Sequence, residues 1–212
     1  MKKILLMALL LTMFLSLHAQ TGKRMLVTTF SACSSDDDDN NDSKDTVANP
    51  ETPTDGSKIL VAYFSWGGNT HAVANRIAQL TGGTLYEIQP ATPYTTDYNE
   101  LAYTVARNEL DTDAQPALKE TDADFSKYDY VLLGCPVWWQ TAPMIMSTFC
   151  ETYDFKGKTI IPFCTYASTG RDATLQKLSS LTSTASHLTG YGASGNNTSG
   201  VESWLKTINM IK

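Results

Sequence analysis

Three short stretches of this 212-residue chain carry residues whose types and order suit ligand chemistry. The first is Ser65-Trp66-Gly67-Gly68-Asn69-Thr70, a hydroxyl- and glycine-rich loop between an apolar run and an amphipathic segment. The first N–H groups of a helix lack intrahelical partners and the helix dipole is positive there, so such a loop suits an anion, above all phosphate. This loop holds no lysine or arginine. That speaks against nucleoside-triphosphate chemistry, where a loop lysine and Mg²⁺ handle the charge. A phosphate kept permanently in place suits the loop better than one that is transferred.

The second stretch is Gly134-Cys135-Pro136-Val137-Trp138-Trp139-Gln140. Adjacent tryptophans straight after an apolar strand cannot both continue the core alternation. Each offers a wide polarizable face and a single N–H donor, so stacking on a planar, apolar ring system is one natural use. The alternative is that one ring packs on the next helix and the other contacts a partner. The third stretch, Cys164-Thr165-Tyr166-Ala167-Ser168-Thr169-Gly170, is small and hydroxyl-bearing. It could bring backbone N–H groups to the edge of a ring, although turns are rich in these residues anyway.

The elements that must position these loops alternate from Lys58 onward. Short apolar runs predict strands at Lys58–Phe64, Thr84–Gln89, Tyr130–Cys135, Thr159–Cys164 and, more weakly, Ser186–Tyr191, as expected where both faces of a sheet are covered. Val73, Ile77 and Leu80 fall on one face of a helix that Asn69 or Thr70 could cap. A second helix is expected over Ala142–Cys150 with Pro143 in its first turn, and a last one with Val201, Trp204, Leu205, Ile208 and Ile211 on one face. Strands joined by helical crossovers imply a doubly wound, five-stranded parallel sheet in a three-layer α/β/α arrangement. Ligands bind such sheets at the carboxyl ends of the strands, where the strand order reverses. The three chemical stretches all follow strand ends. The connection Pro90–Lys127 is longer than a simple crossover, with one helical pattern at Tyr98, Leu101, Ala102 and Val105. Excursions of this length are commonly functional, and this one could cover a ligand.

Other candidates carry less. Cys135 and Cys164 end strands, where a thiol commonly serves as a small buried hydrophobe; a disulfide between them or a redox role remains open. His71 stands in the first turn of a helix, where an exposed or capping residue is the simpler reading than a proton relay. With only three histidines, no Ser–His–Asp arrangement or clustered metal ligands appear.

The chain's formal net charge is -6. Residues 34–57 carry eight carboxylates and one lysine, whereas residues 58–212 hold 14 acids against 11 bases. No basic stripe is visible, so nucleic acid is an unexpected partner. Met1–Leu17 combines Lys2-Lys3 with an apolar run and reads as a secretory signal. Phe30-Ser31-Ala32-Cys33 resembles a lipobox, which makes residues 1–33 a signal region and Cys33 a lipidation site. Cleavage at Ala19 is the alternative, leaving a soluble periplasmic protein. Residues 34–57, with Asp36-Asp37-Asp38-Asp39 and no apolar periodicity, read as a disordered acidic tether. An outer-membrane lipoprotein, touching the membrane only through its anchor, is the expectation.

Taken together, the three loops resemble the flavodoxin-like superfamily, in particular a bacterial flavodoxin family group. Ile59–Thr70 resembles its phosphate loop. Gly134-Cys135-Pro136-Val137-Trp138-Trp139 with Ala142-Pro143 resembles its Gly-x-Pro-x-Trp-Trp loop, and Lys156–Thr165 its fourth strand and third loop. The resemblance spans 58–212 and implies a flavodoxin-like domain holding FMN non-covalently. The implied contacts are Ser65, Trp66, Gly67, Gly68, Asn69 and Thr70 at the phosphate, Pro136, Val137, Trp138 and Trp139 at the ring, and Thr165, Tyr166, Ser168 and Gly170 at its edge. An acidic, cation-poor surround would disfavour negative charge on the reduced ring. The expected role is electron transfer outside the cytoplasm, with a protein or membrane redox partner. An FMN-dependent oxidoreductase that reduces quinones or similar acceptors with NAD(P)H is one alternative. A flavodoxin-shaped binding module without flavin is another.

Overall fold

The computed structural model describes residues 56–212, so the signal, the lipidation of Cys33 and nearly all of the acidic tether lie outside the described residues. Strands β1 (Ile59–Tyr63), β2 (Thr84–Glu87), β3 (Tyr130–Pro136), β4 (Thr159–Tyr166), β5 (Ser186–His187) and β6 (Tyr191–Ser194) form one sheet. Every pairing is parallel and the order is β2-β1-β3-β4-β5, with β6 also alongside β4.

The central strands are apolar throughout because alternate residues enter two separate cores. Leu60, Ala62, Val131, Leu133 and Ile160 face one core, and Ile59, Val61, Leu132, Ile161 and Phe163 face the other. Helix α1 (Asn69–Thr81), through Val73, Ala74 and Ile77, and α6 (Val201–Thr207), through Val201, Trp204 and Leu205, cover the second core. Helices α4 (Met144–Thr152) and α5 (Arg171–Leu181) cover the first, with Ile145, Met146, Phe149 and Leu178 inside it. The sheet is thus enclosed by helices on both faces, the three-layer flavodoxin-like arrangement. No helix among the described residues is long and apolar enough to cross a membrane.

Three expectations need correction. The fifth strand is not one run from Ser186 to Tyr191 but the pair β5 and β6. Between the Ile160–His187 and Phe163–Tyr191 partners, β4 has two residues and its neighbour three, which is a bulge. Pro162 lies there, cannot donate to a ladder, and its carbonyl oxygen would stand 2.8 Å from a Cβ on Gly190. The cap of α1 is Gly68, with φ +85° and no side-chain bond; Asn69 and Thr70 are already helical. Thr70 spends its hydroxyl elsewhere. Pro143 precedes α4 as its N-cap rather than standing inside its first turn.

The long connection carries a continuous helical stretch: α2 (Tyr98–Glu100), a π turn (Leu101–Val105) and α3 (Ala106–Asp111). Asp97 caps it, its side chain accepting from the Glu100 N–H at 2.8 Å. Only Leu101 and Ala106 within it are buried. Core packing resumes later, at Leu118, Phe125 and Tyr128.

Candidate functional site

Strands β1, β3 and β4 end side by side, so the loops that follow them converge where the strand order reverses. Between them lies a pocket of about 700 Å³, within the range of small-molecule and cofactor sites. Ser65, Trp66, Gly67, Asn69 and Thr70 supply one wall; Pro136, Val137, Trp138 and Trp139 the second; Thr165 and Tyr166 the third. Gly68, Ser168 and Gly170 stand outside it.

The phosphate-type loop is arranged as an open helix end. The Ser65 hydroxyl oxygen accepts from the His71 N–H at 3.3 Å, and the Ala72 N–H returns to the Gly68 carbonyl at 3.0 Å. With Gly68 as cap, Ser65 satisfies the His71 N–H from outside the helix, and the Asn69 and Thr70 N–H groups have no capping side chain. Thr70 is buried and shares a 2.8 Å hydrogen bond with the Thr165 hydroxyl, tying the first loop to the third. One hydroxyl of such a pair donates to the other, so the pair keeps one further O–H to give.

The second loop is a two-residue hairpin. Trp138 and Thr141 exchange both backbone hydrogen bonds, at 2.9 and 3.0 Å, around Trp139 at φ 48° and Gln140 at φ 66°. A turn with two left-handed residues is ordinarily made by Asn-Gly or Gly-Gly, and holding bulkier residues there costs on the order of 1–3 kcal/mol each. Surrounding bonds maintain it. The Gln140 amide donates to the Thr169 hydroxyl at 2.8 Å, and a Cβ on Gly170 (φ +82°) would lie 2.9 Å from the Gln140 Cα. Gly170 therefore serves the approach of loop three to loop two rather than the pocket wall.

The two tryptophans part company at this turn. Trp138 is half-buried, with Phe64 at 5.4 Å and Tyr94 at 5.3 Å packed edge-on. Trp139 is exposed; its indole N–H donates to the Ala102 carbonyl at 2.7 Å, and Arg107 lies over its ring at 5.2 Å. Trp66 behaves similarly, donating to the Thr95 carbonyl at 2.8 Å.

The long connection provides the wall that sequence reasoning did not assign to particular residues: Tyr98, Leu101, Ala102, Tyr103 and Ala106. The helical pattern around Tyr98–Val105 was the available signal. Gln140, Ala167 and Gly195 complete the lining. No side chain of the wall is charged, which replaces the expected acidic surround with a neutral one.

Burial shifts several neighbouring groups. Tyr94 donates to the Glu109 carboxylate at 3.1 Å; burial, and then the Glu109 charge, push its hydroxyl above the ordinary range, and burial raises Glu109. Tyr63 is pushed up to about 12 by burial and by Glu87. Its hydroxyl shares a 2.6 Å bond with His71 Nδ1, while the ring is exposed beside Asn75 and outside the pocket wall. Cys135, Cys150 and Cys164 are free and buried. Burial raises the thiols of Cys150 and Cys164 to about 12 and that of Cys135 well above the usual range, which disfavours the reactive thiolate at all three. Among the described residues no group of three or more acids, histidines and cysteines could hold a metal ion.

The family described as Flavodoxin matches residues 58–208. Among solved structures, a candidate flavoprotein from Bacteroides uniformis is 36% identical, covering 72% of this chain and 99% of that one, with a TM-score of 0.65. A second, from Bacteroides eggerthii, is 34% identical over 71% of this chain and 97% of its own, with a TM-score of 0.64. A Lactobacillus acidophilus flavoprotein in complex with FMN shares the fold at 20% identity and TM-score 0.59, covering 69% of this chain and 97% of that one. No curated protein matches the chain.

Proposed function

The chain belongs to this flavodoxin family, and on that premise we propose that it binds FMN non-covalently and transfers electrons. The observation that carries the proposal is the convergence of three loops on one uncharged pocket at the reversal of strand order. FMN is the flavin named for the Lactobacillus fold relative, and the family assignment supports the same choice here.

The donors fit the group. The first-turn N–H groups of α1, the Ser65 hydroxyl and the Thr70–Thr165 pair would hold the phosphate. Trp138, Trp139 and Tyr98 would bound the planar ring, and the Thr165–Tyr166 backbone its edge. When bound, the flavin supplies the electron-transfer chemistry. The protein's part is to orient it, keep water from its faces and set its electrostatics. A wall without cations gives no support to negative charge on the ring, so a low reduction potential is expected.

Electron carriage with a protein or membrane partner is preferred to NAD(P)H-dependent reduction because residues 1–57 read as an export signal, a lipidation site and a tether. Outside the cytoplasm soluble nicotinamide cofactors are not expected. The test is the visible spectrum of the purified chain after FMN reconstitution, followed by stopped-flow reduction. A flavin spectrum with slow bleaching by NADH and NADPH is the expected result. Rapid bleaching would replace the carrier with a reductase, and a colourless protein would remove both. Cys33→Ser is expected to release the protein from membranes; unchanged membrane association would refute the anchor.

A further inference from the structure

In a doubly wound fold the helix between two parallel strands normally packs on the face of the sheet. The helical stretch between β2 and β3 does not. Residues 98–111 bury only Leu101 and Ala106, α3 has the π turn and α4 as its main neighbours rather than a strand, and five of the stretch's residues line the pocket. A π turn interrupts the stretch at Leu101–Val105, a feature that costs regular helical bonding and concentrates at functional sites.

What fastens this stretch to the rest of the site is unusual. Trp66, from the first loop, donates its indole N–H to the Thr95 carbonyl at 2.8 Å. Trp139, from the second, donates to the Ala102 carbonyl at 2.7 Å, inside the π turn. Each indole has one donor, and each spends it on the connection. Trp139 does so from a left-handed backbone, so the hairpin's strain is coupled to this contact.

Building on the FMN reading, we propose that residues 95–111 form a lid, latched shut by the indole N–H groups of Trp66 and Trp139. Both tryptophans are then positioning residues: their rings belong to the pocket wall, but their N–H groups act through the lid. The latch joins the phosphate loop and the ring loop to one cover, so opening for ligand exchange requires both indole bonds to break, together with the Tyr94–Glu109 hydrogen bond that ties the segment to the core. Tyr98, Leu101, Ala102 and Ala106 are the uncharged residues that such a lid would lay over a planar ligand, excluding water. Segments with few buried contacts open locally at low cost, and the stretch meets that description where the β1, β3 and β4 core does not.

The test is peptide-resolved hydrogen exchange on the full chain, without and with FMN, for the wild type, Trp66→Phe and Trp139→Phe. Phenylalanine keeps an aromatic ring and removes the donor. In the chain without FMN, both variants are expected to raise exchange across residues 95–111 and leave β1, β3 and β4 unchanged. FMN is expected to slow exchange there in the wild type, and its dissociation to become about five- to tenfold faster in each variant, the scale of one lost hydrogen bond. Unchanged exchange across 95–111 in both variants would overturn the latch, as would a rise spread evenly over lid and strands. If FMN does not bind, the functional reading fails, while the exchange of the FMN-free variants still decides the latch.

Discussion

Two crossovers leave the same edge of the molecule and are built on opposite plans. The first, from β1 to β2, is α1, whose Val73, Ala74 and Ile77 are fully buried against the sheet. The second, from β2 to β3, keeps Tyr98 and Tyr103 at 61% and 64% exposure and gives its helical face to the pocket instead of the core. The first crossover is recruited by the hydrophobic effect and also happens to present an anion-binding end. The helical part of the second contributes little core, which the connection supplies only later at Leu118, Phe125 and Tyr128, so the sequence of that helical part is free to answer to the ligand. The difference implies that changes in the sheet and its covering helices act on stability first, and changes in residues 95–111 act on binding first.

The comparison can be broken at several points. Phe149 is fully buried between the sheet and Phe125, Tyr153 and Phe155. Phe149→Ala is expected to cost about 3–5 kcal/mol in urea denaturation. Gly134 lies beneath the ring of Phe163, and a Cβ there would fall 2.1 Å from Phe163 Cζ. Gly134→Ala should therefore destabilise by about 1–3 kcal/mol through overpacking, even though Gly134 belongs to the loop-two motif.

Thr165→Val lies at the junction of scaffold and site. It removes the hydroxyl partner of buried Thr70, and a loss of about 1 kcal/mol together with weaker FMN binding is expected from denaturation and titration. Tyr103→Ala should move stability by no more than about 0.5 kcal/mol yet weaken FMN binding about three- to tenfold, the scale of one aromatic contact. A stability loss at Tyr103 comparable with that at Phe149 would erase the distinction between the two crossovers.

The same distinction decides what was legible in the sequence. The strands β1, β3 and β4 announce themselves because burial on both faces leaves nearly every residue apolar, and their loops were placed at one edge by topology alone. The split of the fifth strand was hidden because it depends on Pro162 in the neighbouring strand, a contact distant in sequence. Cap preferences are local and point to Asn69 or Thr70, whereas the Thr70 hydroxyl is claimed by Thr165, 95 residues away. The aromatic character of loop two was visible, but the left-handed turn at Trp139-Gln140 was not, since these residue types argue against it. Tyr98, Leu101 and Ala102 showed a helical pattern without showing that its partner would be a pocket rather than a sheet.

The most direct test of the central claim is a calorimetric titration of the purified chain with FMN and, separately, with riboflavin, which lacks the phosphate. The three-loop site predicts one-to-one binding of FMN and much weaker binding of riboflavin, because the open end of α1 and the Thr70–Thr165 pair would have no phosphate to hold. Equal affinity for the two, or no binding of either, would contradict it.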